Sequence, residues 1–425
     1  MEELRQYVWQ HRLWQQPDMH TVDGRKVHVI DPGTINRNSG PDFFNAKIKI
    51  GGEMWVGNVE IHVRASDWMR HNHHTDPAYD SVILHVVGHD DLAVNRSNGE
   101  RIPQLHMPCT RDFASRFQEL VNNRGNELAC SANITSVPPV ILKSWIDSLA
   151  YQRLYTKTDR INGLIHRFNG DWEEACYVTV ARAFGFGINS EPFERLALSL
   201  PLRFMHKHCD SLLSLEALLF GQAGFLDQDC SDRYMEQMQT EYKFLSHKFS
   251  IKRPDSLGWK MSRMRPANFP HRRIAMLAAM LEGGFRLLRD ITEARNADDI
   301  TALFNKTMTG YWATRYNFGP DCGNDIPGLS RQSLNTLLIN VAVPICYAYG
   351  LAHDNQNLCD NALTLLHETP AENNSIIRMF THAGVECNNA FTSQALIELR
   401  RSYCETRKCL YCRIGHRILS SKVKP

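Results

Sequence analysis

The pattern of apolar and polar positions divides the chain near residue 110. Before this point, short alternating segments are separated by Gly, Asp, Asn and Pro, which is typical of strands joined by turns. These segments are KVHVIDPG, DFFNAKIKIGG, EMWVGNVEIHVRASDW, YDSVILHVVGHDD and the hairpin pattern LAVNRSNGERIPQLHM. Beyond it, apolar residues recur at spacings of three and four, which predicts helices. We therefore expect an α+β protein with a mixed sheet followed by an all-helical region.

The first segment, MEELRQYVWQHRLWQQ, predicts an amphipathic helix that flanks the sheet. It lacks the basic start and apolar core of a signal peptide, and no apolar run approaches the ~18 residues that a transmembrane helix needs. We expect a cytoplasmic protein with no membrane partner, built from three parts. These are a sheet domain over residues 1–110, a helical domain over 111–395 and a basic, cysteine-containing tail over 396–425.

Composition narrows the class of protein further. The 425 residues are 43% apolar and 22% charged, with a net charge of +2, and this excludes a disordered chain. The length suggests two or three domains. The 12 cysteines are spread through a long chain without a signal peptide, which favours reduced thiols over a disulfide framework.

The segment SGPDFFNAKIKI places a carboxylate at the start of a strand. Strict alternation puts Asp42 on the same side as Phe44, Ala46, Ile48 and Ile50. Burying an unpaired carboxylate in an apolar row costs several kcal/mol, so Asp42 needs a cation.

The segment GNVEIHVR alternates an apolar face with a polar face, which carries Asn58, Glu60, His62 and Arg64. Hydrolysis of a phosphodiester uses a divalent ion, and Mg²⁺ is commonly held by one or two carboxylates. Asp42 and Glu60 are candidates for that pair. His62, two residues beyond Glu60, could orient or deprotonate the attacking water.

This pattern, Pro41-Asp42 followed by Glu60-Ile61-His62, resembles the PD-(D/E)XK nuclease superfamily, with His where Lys is usual. The resemblance implies a restriction-endonuclease-like fold and a nuclease that uses Mg or Mn. It gives Asp42 and Glu60 the ligand role and His62 the role of the Lys. The whole chain also resembles a family of uncharacterised bacterial proteins, which brings no activity with it.

Other interpretations stay open. Asp42 could cap a turn while Glu60 pairs with Arg64 on a solvated face. The sheet domain could also be an inactive nuclease fold in a nucleic-acid-binding or scaffold protein, or a hydrolase of another phosphate ester. Glu2 and Glu3 in the first helix could add a carboxylate to the site.

The histidines downstream of the polar strand are weaker candidates for site residues. In RHNHHTDP, His71, His73 and His74 favour a solvated turn, although such a cluster could bind zinc or contact phosphate. His85 interrupts the apolar run VILHVV, and we expect it to be a hydrogen-bonded core residue.

Residues 243–275 contain nine Lys or Arg and one acid, so their net charge is +8. Phe244, Phe249, Trp259 and Phe269 lie among these charges. A basic stretch with interleaved aromatic residues suits DNA or RNA, although a solvated loop with aromatic core anchors is equally compatible. The residues expected to contact nucleic acid are Lys252, Arg253, Lys260, Arg263, Arg265, Arg272 and Arg273.

The tail contains Cys404, Cys409 and Cys412, and the C-x2-C pair is a common metal chelate. His416 or Cys387 could supply a fourth ligand. Thiolates suit zinc and iron–sulfur clusters alike, and small core thiols without a metal remain an alternative. We expect any metal here to have a structural role.

Overall fold

The computed structural model describes residues 2–14, 18–36, 38–107, 114–115, 117–118, 120, 128–229, 232–262 and 264–420. The chain forms two compact units. The sheet unit comprises Met1–Trp145, His382–Val385 and Arg400–Pro425, and the helical unit comprises Ile146–Thr381 and Glu386–Leu399. The C-terminal segment therefore belongs to the same unit as the sheet.

The sheet unit contains a seven-stranded mixed sheet, as the alternating pattern predicted. Its strands are β1 (Met19–His20), β2 (Lys26–Asp31), β3 (Thr34–Ile35), β4 (Phe43–Ile50), β5 (Glu53–Arg64), β6 (Val82–His89) and β7 (Gln104–His106). They are ordered β1-β2-β4-β5-β6-β7, and β3 pairs with β4. The pairs before β5 are antiparallel, whereas β5–β6 and β6–β7 are parallel.

A bulge in β4 sets the register at its N-terminal end. Phe43 pairs with Val59 and Ala46 pairs with Gly57, so β4 has one more residue than β5 between these pairs. Asn45 takes a left-handed conformation with φ of 56°. Asn tolerates this conformation better than most residues, which explains where the bulge forms.

The bulge overturns one expectation about Asp42. Phe43, rather than Phe44, is fully buried together with the apolar residues later in β4. A single extra residue exchanges the two faces of a strand. Asp42 therefore does not head the apolar row that strict alternation predicted.

Two helices of the sheet unit lie near β5. These are α1 (Glu2–Gln10), which contacts β5 through a buried face that includes Leu4 and Val8, and α2 (Asp67–Arg70). Short 3₁₀ turns follow at His73–Thr75 and Pro77–Tyr79. This unit also contains the 3₁₀ turns Ile134–Ser136 and Cys409–Tyr411, the π-helix Arg400–Cys404 and the helix Arg413–Ser420.

The rest of the chain is mostly helical, as the spacing of its apolar residues predicted. Its α-helices are Pro139–Arg167, Trp172–Phe184, Ser190–Ser199, Leu202–His206, Leu212–Gln222, Arg233–Lys248, Pro270–Leu281, Leu287–Glu293, Ala297–Phe304, Arg331–Leu337, Val343–Ala352, Gln356–Glu368, Ser375–His382 and Ala390–Leu399. The first of these begins in the sheet unit and continues into the helical unit. A π-helical turn, Leu338–Ala342, joins Arg331–Leu337 to Val343–Ala352.

That joined segment, Arg331–Ala352, differs from the expectation that no apolar run approaches transmembrane length. Its 22 residues are long and apolar enough to cross a membrane. However, 72% of its most apolar window is buried inside the protein, as in the core helix of a globular unit. Burial among other helices accounts for its apolar composition without a membrane.

Candidate functional site

Asp42, just before β4, exchanges two hydrogen bonds with Glu60 and Ile61 of β5. The backbone N–H of Asp42 donates to Glu60 Oε2 at 2.9 Å, and the backbone N–H of Ile61 donates to Asp42 Oδ2 at 3.0 Å. Gln6 of α1 donates from Nε2 to Asp42 Oδ1 at 2.8 Å. The two acids that the sequence singled out are therefore neighbours, held by the strand pairing and by the first helix.

These carboxyl groups are costly to ionise in their surroundings. Burial raises the pKa of Glu60, and the nearby Asp42 carboxylate raises it further. Burial likewise raises the pKa of Asp42, against the hydrogen bonds from Ile61 and Gln6. Glu2 of α1 adds negative charge that acts on both groups, and burial raises its own pKa too. A bound cation would relieve this accumulation of negative charge.

Three histidines lie on the other side of Glu60. Its Oε1 atom is 3.5 Å from His62 Nε2 and 3.5 Å from His73 Nε2. His71 Nδ1 lies 3.2 Å from His62 Nε2. Each of the three histidines has a ring nitrogen within 4.8 Å of such an atom on the other two. Glu60 therefore lies between Asp42 on one side and the three histidines on the other.

The loop after β5 places two of these histidines over the sheet. Asp67 begins α2 and accepts a hydrogen bond from the backbone N–H of Arg64 at 3.0 Å, which fixes the turn. Asn72 takes a left-handed conformation with φ of 61° between His71 and His73. The His73 ring then stacks on Tyr79 with 3.7 Å between ring centroids. This packing directs the loop toward the site.

A fourth histidine supports His62 from β6. His85 is fully buried, and its Nε2 atom lies 2.9 Å from His62 Nδ1. The predicted role of His85 as a hydrogen-bonded core histidine is confirmed. Both ring nitrogens of His62 therefore have neighbours within the protein.

Two of these histidines, His62 and His73, favour the neutral form. Burial, together with the neighbouring His73 and His71, lowers the pKa of His62 to about 3. Burial also lowers the pKa of His73 to about 4. Neutral imidazoles carry the lone pairs that a metal ion requires.

Several sequence interpretations change at this site. His62 is only 1% exposed and both of its ring nitrogens lie beside other histidines, so its role of orienting or deprotonating an attacking water stays a prediction. Glu60 is buried, and Arg64 lies 3.7 Å from Asp91, so the solvated Glu60–Arg64 pair is wrong. His73 is buried against the sheet rather than part of a solvated turn. Sequence spacing alone could not reveal this, because it depends on how the loop folds back.

The basic stretch divides between exposed and buried side chains. Lys252, Lys260 and Arg265 are exposed, and Arg253 is exposed but forms an ion pair with Asp227. Arg263 lies outside the described residues.

Two members of the predicted contact set are core residues. Arg272 is fully buried and donates to the carbonyl oxygens of Trp312 and Ile326 at 2.6 and 2.9 Å. Arg273 is 4% exposed, donates to Asn268 Oδ1 at 2.8 Å and lies over the ring of Phe186. The prediction that Arg272 and Arg273 contact phosphate is wrong for this structure, because neither guanidinium reaches the surface.

Basic and aromatic side chains, some of them from residues 243–275, cluster in the helical unit. Lys207 and Lys248 lie 5.4 and 5.2 Å from the ring centre of Phe249. The Phe204 ring stacks on Phe249 with 4.8 Å between centroids. We call this the aromatic-basic surface, and its members are Arg203, Phe204, Lys207, Phe244, Lys248 and Phe249.

Phe244 is the most exposed aromatic residue of this surface. It is 60% exposed, and Lys248 lies 5.7 Å from its ring centre. In contrast, Trp259 donates to the carbonyl oxygen of Ala223 at 2.9 Å and packs against Phe193, so it is a structural anchor. Exposed rings beside cations are able to stack on bases.

The three tail cysteines have a fourth neighbour that sequence spacing did not indicate. Burial, together with Cys412 and Cys409, raises the pKa of Cys130 to about 12. Burial also raises the pKa of Cys404, with added contributions from Cys130, Cys412 and Cys409. All four thiols belong to the sheet unit.

Neither expected fourth ligand takes this position. His416 Nδ1 lies 2.5 Å from the hydroxyl of Tyr7. Cys387 belongs to the helical unit, where burial and Glu372 raise the pKa of its thiol. The mutual effect of Cys130 and the tail thiols on their pKa favours Cys130 as the fourth neighbour, and it lies too far away in the sequence to form a recognisable motif with the tail.

The turn around the C-x2-C pair is tightly built. Cys409–Tyr411 forms a 3₁₀ turn, and the backbone N–H groups of Ile414 and Gly415 donate to Cys412. A side chain at Gly415 would place its Cβ 2.1 Å from the carbonyl oxygen of Cys409, so only glycine fits without movement. Backbone donors to sulfur stabilise a thiolate.

The comparisons with known proteins place the chain in a family. The profile of the family described as protein of unknown function (DUF2851) matches residues 2–375. No curated protein and no solved structure matches the chain significantly. With most of its length matched, the chain belongs to the DUF2851 family.

Proposed function

We propose that the sheet unit is a metal-dependent hydrolase of phosphodiester bonds in nucleic acid. The observation that carries the proposal is that the half-buried Asp42, just before β4, and the buried Glu60 of β5 are neighbours held by backbone hydrogen bonds. Two acids in this arrangement are stable as anions when a cation neutralises them.

A divalent ion at this position would neutralise charge on a phosphate and lower the pKa of a bound water. Glu60 would hold the ion, with Asp42 adjoining it. Gln6 and the backbone N–H of Ile61 fix the Asp42 carboxylate. Glu2 lies close enough to act electrostatically on both acids, so α1 would contribute to the site as well.

The sheet supports a restriction-endonuclease-like architecture within this proposal. It is mixed, it is flanked by an N-terminal helix, and it brings Asp42 beside Glu60, as the PD-(D/E)XK resemblance implies. The position of the usual Lys holds His62, which is buried and paired with His85. We therefore give His62 a role in holding the ion rather than in deprotonating the attacking water.

Nucleic acid is the proposed partner because the helical unit offers a second matching feature. The aromatic-basic surface combines cations, which suit phosphates, with rings, which suit unstacked bases. A protein that binds nucleic acid through this surface without cleaving it is the second candidate, and it rests on the same observation.

We also propose a structural metal, zinc or iron, at the thiols of Cys130, Cys404, Cys409 and Cys412. The tight turn at Cys409–Tyr411, the backbone donors to Cys412 and the influence of the thiols on one another's pKa support it. Among the described residues the four sulfurs do not form a group within 4.8 Å of one another, so a metal would have to draw them together. Four cysteines suit either a tetrahedral zinc ion or an iron–sulfur cluster.

The test is a cleavage assay with labelled single- and double-stranded DNA and RNA, in Mg²⁺, Mn²⁺, Zn²⁺ or EDTA. We expect cleavage that EDTA abolishes and that Glu60→Gln or Asp42→Asn lowers on the order of 100-fold or more, because each removes charge that holds the ion. Glu53→Gln is the matched control, since Glu53 is an exposed acid at the other end of β5.

Two outcomes would overturn the hydrolase. Cleavage that persists in both Asp42→Asn and Glu60→Gln would place the activity at another site or in a contaminant. Binding without cleavage of any substrate, in any of the three ions, would favour the non-catalytic candidate.

A further inference from the structure

We infer that Glu60, His62, His71 and His73 form a binding site for a first-row transition metal ion, with zinc as the leading ion. This inference deepens the proposed function, because it names the cofactor class of the same site. It stands on metal binding alone, however, and can be tested without substrate.

The donor atoms already have the spacing that one ion imposes. Adjacent ligand atoms bound to one ion at 2.0–2.2 Å lie about 3 to 3.5 Å apart. Here His71 Nδ1 is 3.2 Å from His62 Nε2, and His62 Nε2 is 3.5 Å from Glu60 Oε1. His73 Nε2 is also 3.5 Å from the same Glu60 oxygen. The three histidines thus have ligand atoms within 4.8 Å of one another, and Glu60 Oε1 lies beside two of them.

The surroundings of Glu60 leave room for a cation to stabilise its carboxylate on the side of Oε1. Glu60 is 5% exposed, and the hydrogen bond from the Asp42 backbone reaches its other oxygen, Oε2. At Oε1 the neighbouring groups are the ring nitrogens of His62 and His73. A buried carboxylate is tolerated when it is paired or coordinates a metal, and an ion among these nitrogens satisfies that condition.

The donor set selects the class of ion. Mg²⁺ prefers oxygen ligands and keeps several of its waters, whereas imidazole suits zinc and other first-row transition ions. Three histidines and one carboxylate therefore favour zinc over the Mg²⁺ that Asp42 and Glu60 alone would suggest. Mn²⁺, which accepts carboxylates readily, is the second ion to test.

The site also has the support and the access that a metal centre needs. His85 lies 2.9 Å from His62 Nδ1, the nitrogen that faces away from the cluster, and so fixes the ring of a ligand. His71 is exposed, which gives an ion or a water molecule a route from solvent. A water or a phosphate oxygen could occupy a fifth position on that side, since zinc expands to five ligands in catalytic sites.

The experiment measures metal binding by the full-length protein after removal of its metals with a chelator. Zn²⁺, Mn²⁺ and Mg²⁺ are titrated separately by calorimetry into the wild type, His71→Ala and His73→Ala. His28→Ala, which changes an exposed histidine on β2, is the matched control. X-ray absorption of the zinc-loaded proteins reports the ligand atoms, and thermal unfolding shows that each variant is folded.

We expect Zn²⁺ to bind more tightly than Mg²⁺, with a nitrogen and oxygen shell at about 2.0–2.1 Å beside any sulfur shell at about 2.3 Å from the cysteines. His71→Ala should weaken zinc binding by at least ~100-fold, more than the 10–100-fold typical of losing an outer-shell partner. His73→Ala should do the same, and His28→Ala should leave the affinity unchanged.

The inference is overturned if folded His71→Ala and His73→Ala bind zinc as tightly as the wild type. It is also overturned if the absorption spectrum contains sulfur ligands alone. A protein that binds zinc through the histidines but cleaves no nucleic acid would keep this inference and reject the proposed hydrolase. Cleavage without histidine-bound metal would reject this inference and keep the proposed hydrolase.

Discussion

The Nε2 atom of His73 lies 3.5 Å from Oε1 of Glu60, so a loop residue meets a residue of the central strand β5. The contact exists because Asn72 turns the chain and Tyr79 stacks on the His73 ring. It brings the histidines, whose sequence predicts a solvated turn, next to the acids that the strand pattern identified. Predictions about the site therefore test the loop and the sheet together.

The first prediction concerns the support of His62 by His85. His85→Leu should lower zinc affinity 10- to 100-fold, because it removes the group that holds the ring of a ligand. His85→Gln keeps a polar group at that position and should restore part of the affinity. Calorimetry with both variants measures the effect, and equal zinc affinities for His85→Leu and the wild type would refute this positioning role.

The pairing of Asp42 with Glu60 was predictable from sequence, whereas the histidine contribution was not. Two alternating segments joined by a Gly-Gly turn form an antiparallel hairpin, and this brings an acid at the start of one strand near an acid late in the next. The bulge at Asn45 and the left-handed Asn72 depend on backbone conformations that alternation does not encode. The position of His73 in the loop depends on the left-handed conformation of Asn72.

Burial of charge was the other quantity that the sequence did not reveal. Arg272 belongs to a basic stretch, yet it is buried because backbone carbonyls of Trp312 and Ile326 accept its N–H groups. Those acceptors come from a loop distant in sequence. Helices and strands can be predicted from local periodicity. The hydrogen-bond acceptors of a buried guanidinium cannot, because they come from distant parts of the sequence.

The second prediction concerns nucleic-acid binding. Replacing Arg203, Lys207 and Lys248 with Gln should weaken binding of single-stranded DNA or RNA, because the aromatic-basic surface loses three cations. Each lost phosphate contact should lower the salt slope by about 0.7 for a single strand. Fluorescence anisotropy at several salt concentrations measures both quantities.

A matched control separates this effect from a general loss of charge. Arg167, Arg286 and Lys306 are exposed residues of the helical unit, and changing all three to Gln removes the same charge. Equal effects of the two triple variants would contradict a specific surface. A strong effect of Lys252→Gln with Lys260→Gln instead would place the contact at the individual residues predicted from sequence.

The third prediction concerns pH and a buried acid of the helical unit. Burial raises the pKa of Glu216 to about 7, although hydrogen bonds from Tyr234 and Trp312 lower it in part. The folded state therefore keeps a proton that the unfolded chain releases near its ordinary pKa of 4.5. The resulting stability is fully present below that pH and is lost as the pH rises through about 7.

The free energy of unfolding should fall by up to roughly 1.4 kcal/mol per pH unit between about 5 and 7 from this group. Glu216→Gln, which cannot ionise, should flatten that part of the profile, whereas Glu236→Gln, at an exposed position, should not. Urea unfolding at a series of pH values provides the measurement. A profile that keeps its slope in Glu216→Gln would show that another group is responsible.

The last prediction concerns the thiols of Cys130, Cys404, Cys409 and Cys412. Metal binding stabilises the fold that assembles its ligands, so loss of one ligand should lower both metal content and thermal stability. Cys130→Ser should lose sulfur-bound metal and unfold at a lower temperature. Cys387→Ser, which changes the fourth ligand considered from sequence, should retain both, because Cys387 belongs to the helical unit.

Metal analysis of anaerobically purified protein gives the zinc and iron content, and X-ray absorption counts the sulfur ligands. Four sulfurs in the wild type and three or fewer in Cys130→Ser would support the site. A similar loss in Cys387→Ser alone would identify Cys387 as the ligand instead. Wild-type protein without sulfur-bound metal would leave the four thiols as small packing residues, whose burial already explains the raised pKa of Cys130 and of Cys409.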